Sequence, residues 1–216
     1  MMLKARFFGT PQIEYGSDSA AIALSGRELA LFAYLCVSRQ PSNRSAVADL
    51  LWDNHTERQA KTNLRYVLRN LRKAVGDYLI ADGQTIGFDQ ALPHWFDITS
   101  MTTYLAPALR TQSAQVEPAI LHEVLNLYTG EFLAGFHIQD APRFDQWMLA
   151  QRRHLHDLMV YGLQLATQHH LALGDYDAAL ALNHYLLTLE SWREEAHRQR
   201  MILLAAMLAP SRGLPS

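Results

Sequence analysis

The sequence predicts an α+β winged helix with an N-terminal β-sheet, followed by an all-α, tetratricopeptide-like helical domain. Three observations lead to this fold class. Apolar residues alternate with Lys4 and Arg6 at the start of the chain, which indicates a small sheet. Residues 24–76 then carry three helical patterns and residues 78–88 carry a hairpin pattern, the order found in a winged helix. From about Phe96 the apolar spacing is helical throughout.

Two apolar helical patterns follow the N-terminal sheet. The first spans residues 24–38, and Ser25 is placed to cap its N-terminus. The second spans residues 45–52 and follows the turn-forming segment 41–43, Pro-Ser-Asn. Together with the helix that comes next, they supply the three helices of a winged helix.

Residues 56–76 predict a helix with two distinct faces. One face is apolar and repeats at helical spacing through Leu64, Val67, Leu68, Leu71 and Val75. The other face is basic and repeats at the same spacing through Arg58, Lys61, Arg65, Arg69 and Arg72. Thr56 and Gln59 fit a capping box at the start of this helix, and Gly76 fits a left-handed cap at its end.

The charge of this helix favours a role in DNA binding. Six basic residues and no acidic residue lie between Arg58 and Lys73. A helix that packs on one side and presents only positive charge on another suits the major groove, although a solvated basic face on an ordinary helix explains the segment equally well. We expect Arg65 and Arg69, near the middle of the basic face, to approach base edges. The other DNA contacts predicted on this helix are Arg58, Lys61, Thr62, Arg72 and Lys73, the basic ones mainly on phosphates.

Residues 78–88 predict the wing, a small hairpin that reaches the DNA backbone or the minor groove. The Asp-Gly pair at 82–83 is a type I′ turn signal between two β-prone runs. Gln84 and Thr85 follow this turn and can hydrogen-bond the sugar–phosphate backbone, although simple turn polarity explains Gln84 as well. Arg44 starts the second helix and is a further phosphate candidate, aided by the helix N-terminus.

The second half of the chain predicts a short helical array. Helical patterns span 97–109, 117–128, 144–173, 176–189 and 193–208. Gly174, Tyr176 and Ala179 fall where tetratricopeptide units place a turn glycine, an aromatic residue and a small packing residue. The predicted division of the chain is 1–92 for the winged helix, 93–209 for the helical domain and 210–216 for a flexible tail or linker.

The charge is unevenly distributed along the chain, whose net charge is −2. Residues 1–92 hold 11 Lys and Arg against 9 Asp and Glu, or +2, whereas residues 93–216 hold 8 against 12, or −4. One basic helix supplies few phosphate contacts, so a monomer should bind DNA modestly and with a shallow salt dependence. Useful affinity then requires self-association or a partner protein.

Catalytic and metal-binding patterns are missing from the sequence. No two of the ten histidines lie three or four residues apart and they have no cysteine partner, which argues against a helical metal site. The sequence has neither a phosphate-binding loop nor a Gly-x-Ser-x-Gly elbow, so we predict no enzyme activity and no cofactor. Cys36 lies on the apolar face of the first helix and is a core residue or, alternatively, a redox sensor. Neither a membrane span nor a signal peptide is evident, which indicates a cytoplasmic protein.

Six segments together resemble bacterial activators of the antibiotic-regulatory-protein type, in which an OmpR-like winged helix precedes a bacterial transcriptional activator domain. Three lie in the first half: LSGRELALFAYL at 24–35, PSNRSAVADLLW at 41–52 and AKTNLRYVLRNLRKAVG at 60–76. Three lie in the second half: YTGEFLAGF at 128–136, DQWMLAQRRHL at 145–155 and GDYDAALALNHYLLTLESWREEAHR at 174–198. The order and spacing of the segments carry the resemblance, because none of them is a catalytic signature.

The resemblance implies a transcriptional activator that binds direct repeats near a promoter as a pair and contacts RNA polymerase. It places the polymerase contact on the link between the second and third helices, Asp53, Asn54 and His55, although a plain capping loop explains these residues as well. The helical half is then a protein-binding and self-association module that does not touch DNA. The alternative is a helical-repeat interaction scaffold that does not bind DNA at all.

Overall fold

The structure is a computed structural model that describes residues 2–16, 20–111 and 116–208. Its strands are β1 Leu3–Arg6, β2 Gln12–Tyr15, β3 Ala20–Ala21, β4 Ser42–Asn43, β5 Leu79–Ala81, β6 Thr85–Phe88 and β7 His94–Phe96. Its helices are α1 Gly26–Ser38, α2 Arg44–Leu51, α3 Glu57–Val75, α4 Asp97–Thr111, α5 Pro118–Asn126, α6 Pro142–Leu173, α7 Tyr176–Leu189 and α8 Glu194–Leu208. The predicted fold class, a winged helix with an N-terminal sheet followed by a helical region, is confirmed.

Contacts divide the chain into two compact units, which do not coincide with the predicted domains. The first unit combines residues 1–100 with 128–155, and the second combines 101–127 with 156–216. Helices α4 and α6 therefore each begin in the first unit and end in the second. The division at residue 92 stays a prediction about sequence domains, and the predicted tail at 210–216 lies outside the described residues.

The N-terminal sheet has the strand order β3-β2-β1-β7. Strand β1 pairs antiparallel with β2 and parallel with β7, a strand that follows the hairpin in sequence. The alternation at the start of the chain buries Leu3, Ala5 and Phe7, as the pattern predicted. Phe7 then lies 5.9 Å from Phe32 of α1 and 6.1 Å from Phe132, measured between ring centroids. This aromatic cluster joins the sheet, α1 and the segment after residue 128 into one core.

Asp97 is a buried carboxylate at the start of α4, within hydrogen-bond distance of the residues that follow strand β1. It accepts hydrogen bonds from the backbone N–H groups of Phe7, Phe8 and Ile98 at 2.7–3.0 Å. Burial raises the pKa of the Asp97 carboxyl, and the three donors oppose that rise by favouring the charged form. The sequence suggested only that Asp97 begins a helix, whereas the structure shows that it also fixes the end of β1 to the start of α4.

The helix ends of the winged helix follow local sequence rules with two exceptions. Thr56 and Gln59 form the predicted capping box of α3, and the Asn43 carboxamide oxygen caps α2 by accepting from the N–H of Ser45 at 2.8 Å. Ser25 precedes α1 but its side chain makes no capping hydrogen bond. Gly76 has a φ of 59° and a ψ of −129°, so its φ is positive but it does not adopt the left-handed helical conformation that we expected.

The second unit is helical in the part of it that the structure describes. Helix α7 has the predicted bounds, and the Asn183 amide donates to the Ala196 carbonyl at 3.0 Å, which ties α7 to α8. Gly162 lies at a close helix contact, because a Cβ there would approach Leu125 Cδ2 to 2.8 Å and Leu105 Cδ1 to 3.1 Å. Close helix packing and a buried hydrogen bond therefore both stabilise this unit.

A histidine pair within the second unit should make stability depend on pH. His122 Nε2 lies 2.9 Å from His170 Nε2, and His170 Nδ1 lies 3.0 Å from Asp175 Oδ2. Burial, followed by the charges of His170 and His169, lowers the pKa of His122 from its usual value of 6.5. The folded state then binds fewer protons than the unfolded state as the pH falls below that value, so the free energy of unfolding decreases with falling pH.

Urea unfolding at about pH 7.5 and about pH 5.5 measures this dependence. His122→Gln should lose less stability between the two pH values than the wild-type protein does. His184→Gln is the matched control, because His184 is exposed on α7. An equal acid-induced loss in the wild-type protein and in His122→Gln would show that the pair does not contribute.

Candidate nucleic-acid interface

Helix α3 presents the two faces that its sequence predicted. Its buried residues are Ala60, Leu64, Val67, Leu68, Leu71 and Val75. Its exposed residues include Arg58, Thr62, Arg65, Arg69, Arg72 and Lys73, while Lys61 is half-buried. The apolar face packs on α1 and α2, which fixes the orientation of the basic face in the first unit.

The basic residues differ in their partners. Lys61 forms an ion pair with Glu57 one turn earlier, and hydrogen bonding to Lys61 lowers the pKa of Glu57. Arg72 donates to the Leu79 carbonyl of β5 at 3.3 Å. Four residues have neither an ion pair nor a side-chain hydrogen bond among the residues that the structure describes, and we call them the unpaired cations of α3: Arg58, Arg65, Arg69 and Lys73. These side chains are available to phosphates or base edges, whereas Lys61 and Arg72 must exchange an existing partner.

The hairpin closes with a different turn from the one we predicted. A type I′ turn requires positive φ at both central residues, and neither Asp82 nor Gly83 has one. Instead, Asp82 Oδ1 accepts from the N–H groups of Gln84 at 2.7 Å and Thr85 at 2.6 Å, and these two bonds lower the pKa of Asp82. The Asp82 side chain therefore organises the turn, and the register pairs Ala81 of β5 with Ile86 of β6.

Arg44 and the wing residues are connected directly. The Arg44 guanidinium donates to the Asp82 carbonyl at 2.8 Å, and its backbone N–H donates to the Gln84 carbonyl at 2.9 Å. The Thr85 hydroxyl donates to Asp82 Oδ2 at 2.9 Å, so it is part of the turn. The Gln84 side chain is exposed beside them. The first residue of α2 thus anchors the wing, a role that the sequence did not reveal.

Two clefts lie between α3 and the wing. One has a volume of about 440 Å³ and is lined by Arg44, Arg65, Leu68, Arg69, Arg72, Lys73, Leu79 and Ala81. The other has a volume of about 500 Å³ and is lined by Asn43, Arg44, Ser45, Lys61, Leu64, Arg65, Gly83 and Gln84. Arg44 and Arg65 line both clefts, and neither lining includes a carboxylate. A concave surface with only positive charge attracts anions such as phosphate.

Tyr66 is a further exposed residue of α3, one that the basic pattern did not indicate. It follows Arg65 and is 66 % exposed, although a large aromatic side chain on a core-packing helix is usually buried. Its spacing of four from Thr62 and three from Arg69 puts it on the same side of the helix as those residues, a signal that the sequence does contain. An apolar ring at this edge can contact a thymine methyl group.

The link between α2 and α3 is the segment predicted to contact RNA polymerase, and the structure does not test that role. Asn54 and His55 are exposed, and Asp53 is half-buried with Oδ1 lacking a hydrogen-bond partner within the described ranges. The His55 N–H donates to the Trp52 carbonyl at 3.0 Å, which shapes the link as a tight turn. An RNA polymerase contact at Asp53, Asn54 and His55 stays a prediction.

The remaining candidate groups of the sequence are its histidines and Cys36. Within residues 2–16, 20–111 and 116–208, no group of three or more His, Cys, Asp or Glu side chains could hold a metal ion. Cys36 is buried, and burial raises the pKa of its thiol, as expected for a core cysteine. None of the described helices is both long and apolar enough to span a membrane.

Comparisons with known proteins identify the family of the helical half and a protein of similar fold. The family model described as bacterial transcriptional activator domain matches residues 97–211, just over half of the chain. The fold is similar to that of Mycobacterium tuberculosis EmbR, solved in complex with a low-affinity phosphopeptide, with a TM-score of 0.71 and 17 % identity. That match covers 95 % of this chain and 55 % of the EmbR chain, so this chain spans about half the length of EmbR. No curated protein sequence matches.

Proposed function

Because the chain belongs to the bacterial transcriptional activator domain family, we propose that it is a sequence-specific, DNA-binding transcriptional activator. The observation that carries this proposal is the set of unpaired cations on α3, three of which, Arg65, Arg69 and Lys73, line clefts whose linings contain no carboxylate. Aligned cations without anionic partners repel one another until anions approach, and DNA supplies anions at regular spacing. When the helix lies in the major groove and the wing contacts the adjacent DNA backbone, both clefts face the DNA.

In this mechanism α3 enters the major groove. Arg65 and Arg69 read base edges, each with the planar guanidinium that pairs with guanine O6 and N7. Arg58 and Lys73 hold phosphates at the two ends of the helix, and Lys61 and Arg72 add phosphate contacts when they release their present partners. Thr62 lies on the groove side, while the backbone contacts of the wing come from Arg44, Gln84 and Thr85.

Paired binding follows from the small number of contacts. The four unpaired cations of one copy neutralise few phosphates, and a net charge of −4 over residues 93–216 keeps the helical half away from DNA. Two copies on direct repeats double the contacts, and the helical half then serves as the protein-binding and self-association module. The link Asp53, Asn54 and His55 is our candidate contact with RNA polymerase. Such a regulator acts in the bacterial cytoplasm.

Footprinting of the full chain on its own upstream DNA tests the proposal. We expect two protected sites in direct repeat, whose binding constant falls with increasing salt. The whole chain is needed because Phe132 and Leu133 belong to the first unit and are buried, so a fragment of residues 1–92 would lose part of its core. A chain that elutes from DNA at low salt and protects no site would instead be the interaction scaffold.

Gln84→Ala tests the wing. The Gln84 side chain is exposed, and only the backbone of Gln84 takes part in the turn. Loss of the side chain should therefore weaken binding several-fold and equally on different operator sequences. Gel-shift titrations on two unrelated sites measure this, with Gln168→Ala, an exposed glutamine of α6, as the control. A loss on one sequence alone would mean that the wing reads bases, and no loss at all would mean that Gln84 is polar only because it lies in a turn.

A further inference from the structure

Three side chains from three helices form a linked cluster within the second unit. His122 lies on α5, His170 lies near the end of α6, and Asp175 is the N-cap residue of α7. His122 Nε2 lies 2.9 Å from His170 Nε2, and His170 Nδ1 lies 3.0 Å from Asp175 Oδ2. The cluster shares no residue with the nucleic-acid interface, so the DNA-binding proposal does not account for it.

The contact with Asp175 determines which nitrogen of His170 is free. An ionised carboxylate only accepts hydrogen bonds, so the His170 Nδ1–H donates to Asp175. The neutral His170 ring then has its lone pair on Nε2, the atom beside His122. Asp175 is itself held in place, because its Oδ1 accepts from the N–H of Ala178 at 3.3 Å. A histidine whose second nitrogen donates to a fixed carboxylate is arranged as metal-binding histidines are.

We propose that His122 and His170 bind one divalent transition-metal ion of the zinc type through their two Nε2 atoms, and that Asp175 orients His170 for this purpose. Imidazole nitrogen suits Zn²⁺, Cu²⁺ and Ni²⁺, whereas Ca²⁺ and Mg²⁺ prefer oxygen ligands. His122 contributes a lone pair when its proton is on Nδ1. The two ligands are 48 residues apart on different helices, so a search for histidines three or four residues apart could not find them.

The distance between the two Nε2 atoms is close to that of a metal-bound pair. Zinc–nitrogen bonds of about 2.0–2.1 Å at a tetrahedral angle place two ligating nitrogens about 3.3 Å apart. The present distance of 2.9 Å would therefore have to increase by about 0.4 Å. Small rotations of two side chains on different helices are sufficient for this change, so neither helix has to move.

Two protein ligands leave the other coordination positions to water. Among the described residues, no group of three or more His, Cys, Asp or Glu side chains could hold an ion, so the pair does not form a closed centre. The site is accessible, because His122 is half-buried and the His170 side chain is 17 % exposed. We therefore expect weaker and more readily exchanged binding than at a four-ligand structural site. The bound ion would link α5 to α6 and stabilise the folded second unit.

Calorimetric titration of Zn²⁺ into the metal-free full chain, at a pH above the usual histidine pKa of about 6.5, tests the site. The wild-type chain should bind one equivalent that His122→Gln and His170→Gln each lose. Asp175→Asn keeps an acceptor for the Nδ1–H of His170 but removes the charge, and it should weaken binding by about 10-fold. His184→Gln is the matched control, because His184 is exposed on α7 and its loss should leave the affinity unchanged.

Histidine side-chain NMR of the wild-type chain gives a second readout that does not require a variant to fold. In long-range ¹H–¹⁵N spectra, Zn²⁺ should shift the Nε2 resonances of two rings together, and the spectra of His122→Gln and His170→Gln identify these rings. A wild-type chain that binds no Zn²⁺, or Zn²⁺ that binds both variants as it binds the wild type, would overturn the site. Zn²⁺ binding is measured without DNA, so a failure of the proposed function would leave this result unaffected.

Discussion

Replacing Arg65 with alanine should weaken binding to the operator by about 10- to 100-fold, which corresponds to roughly 1–3 kcal/mol for one guanidinium on a base edge. Arg65 is exposed in the middle of α3, has no carboxylate partner within the described residues and lines both clefts beside the wing. Its loss removes a base contact without exposing any core. We expect Arg69→Ala to have a similar effect, because Arg69 lies one helical turn further along the same face.

Specificity distinguishes a base contact from a phosphate contact. Arg65→Ala should lose more affinity on the operator than on random DNA, so the ratio of the two affinities should fall. Lys73→Ala should weaken both equally and reduce the slope of binding against salt. Arg110→Ala removes the same charge from an exposed site on α4 and should change neither quantity. Operator binding that survives both Arg65→Ala and Arg69→Ala at moderate salt would show that α3 is not the recognition helix.

Short-range rules predicted most of the helices in both halves of the chain. The capping box of Thr56 and Gln59, the apolar face of α3 and the bounds of α7 each depend on residues within one or two turns, so the sequence contains the whole signal. The positions of the basic residues on α3 follow from the same helical period. The helical period does not show which of these cations already has an acidic partner. Lys61 pairs with Glu57, which lies one residue before the segment from Arg58 to Lys73 that contains no acidic residue.

Long-range contacts explain most of what the sequence did not predict. Strand β7 pairs with β1 across about 90 residues, and the segment around Phe132 completes the first core from more than 120 residues away. No local pattern records such pairings. The hairpin turn is a different case, because an Asp-Gly pair permits several turns and the side chain of Asp82 selected one by accepting two backbone N–H groups.

Asp97→Ala should lower the free energy of unfolding by roughly 3 kcal/mol, because it leaves buried backbone donors without acceptors at a cost of about 1–3 kcal/mol each. The carboxylate accepts from Phe7, Phe8 and Ile98, and its side chain is nearly inaccessible to water. Water entering the vacated space can satisfy some of these donors, which places the expected loss toward the lower end of the summed cost. The end of β1 would then no longer be fixed to α4.

Urea unfolding followed by far-ultraviolet circular dichroism measures the loss, and the order of two variants identifies its cause. Asp97→Asn retains one acceptor oxygen, which can still serve the N–H groups of Phe7 and Phe8, but it turns an NH₂ group toward the N–H of Ile98. Its loss should therefore fall between those of the wild-type protein and Asp97→Ala. Asp157→Ala removes an exposed carboxylate from α6 and should change stability by less than about 0.5 kcal/mol. If Asp97→Ala unfolds at the same urea concentration as Asp157→Ala, the hydrogen bonds to Asp97 do not stabilise the fold.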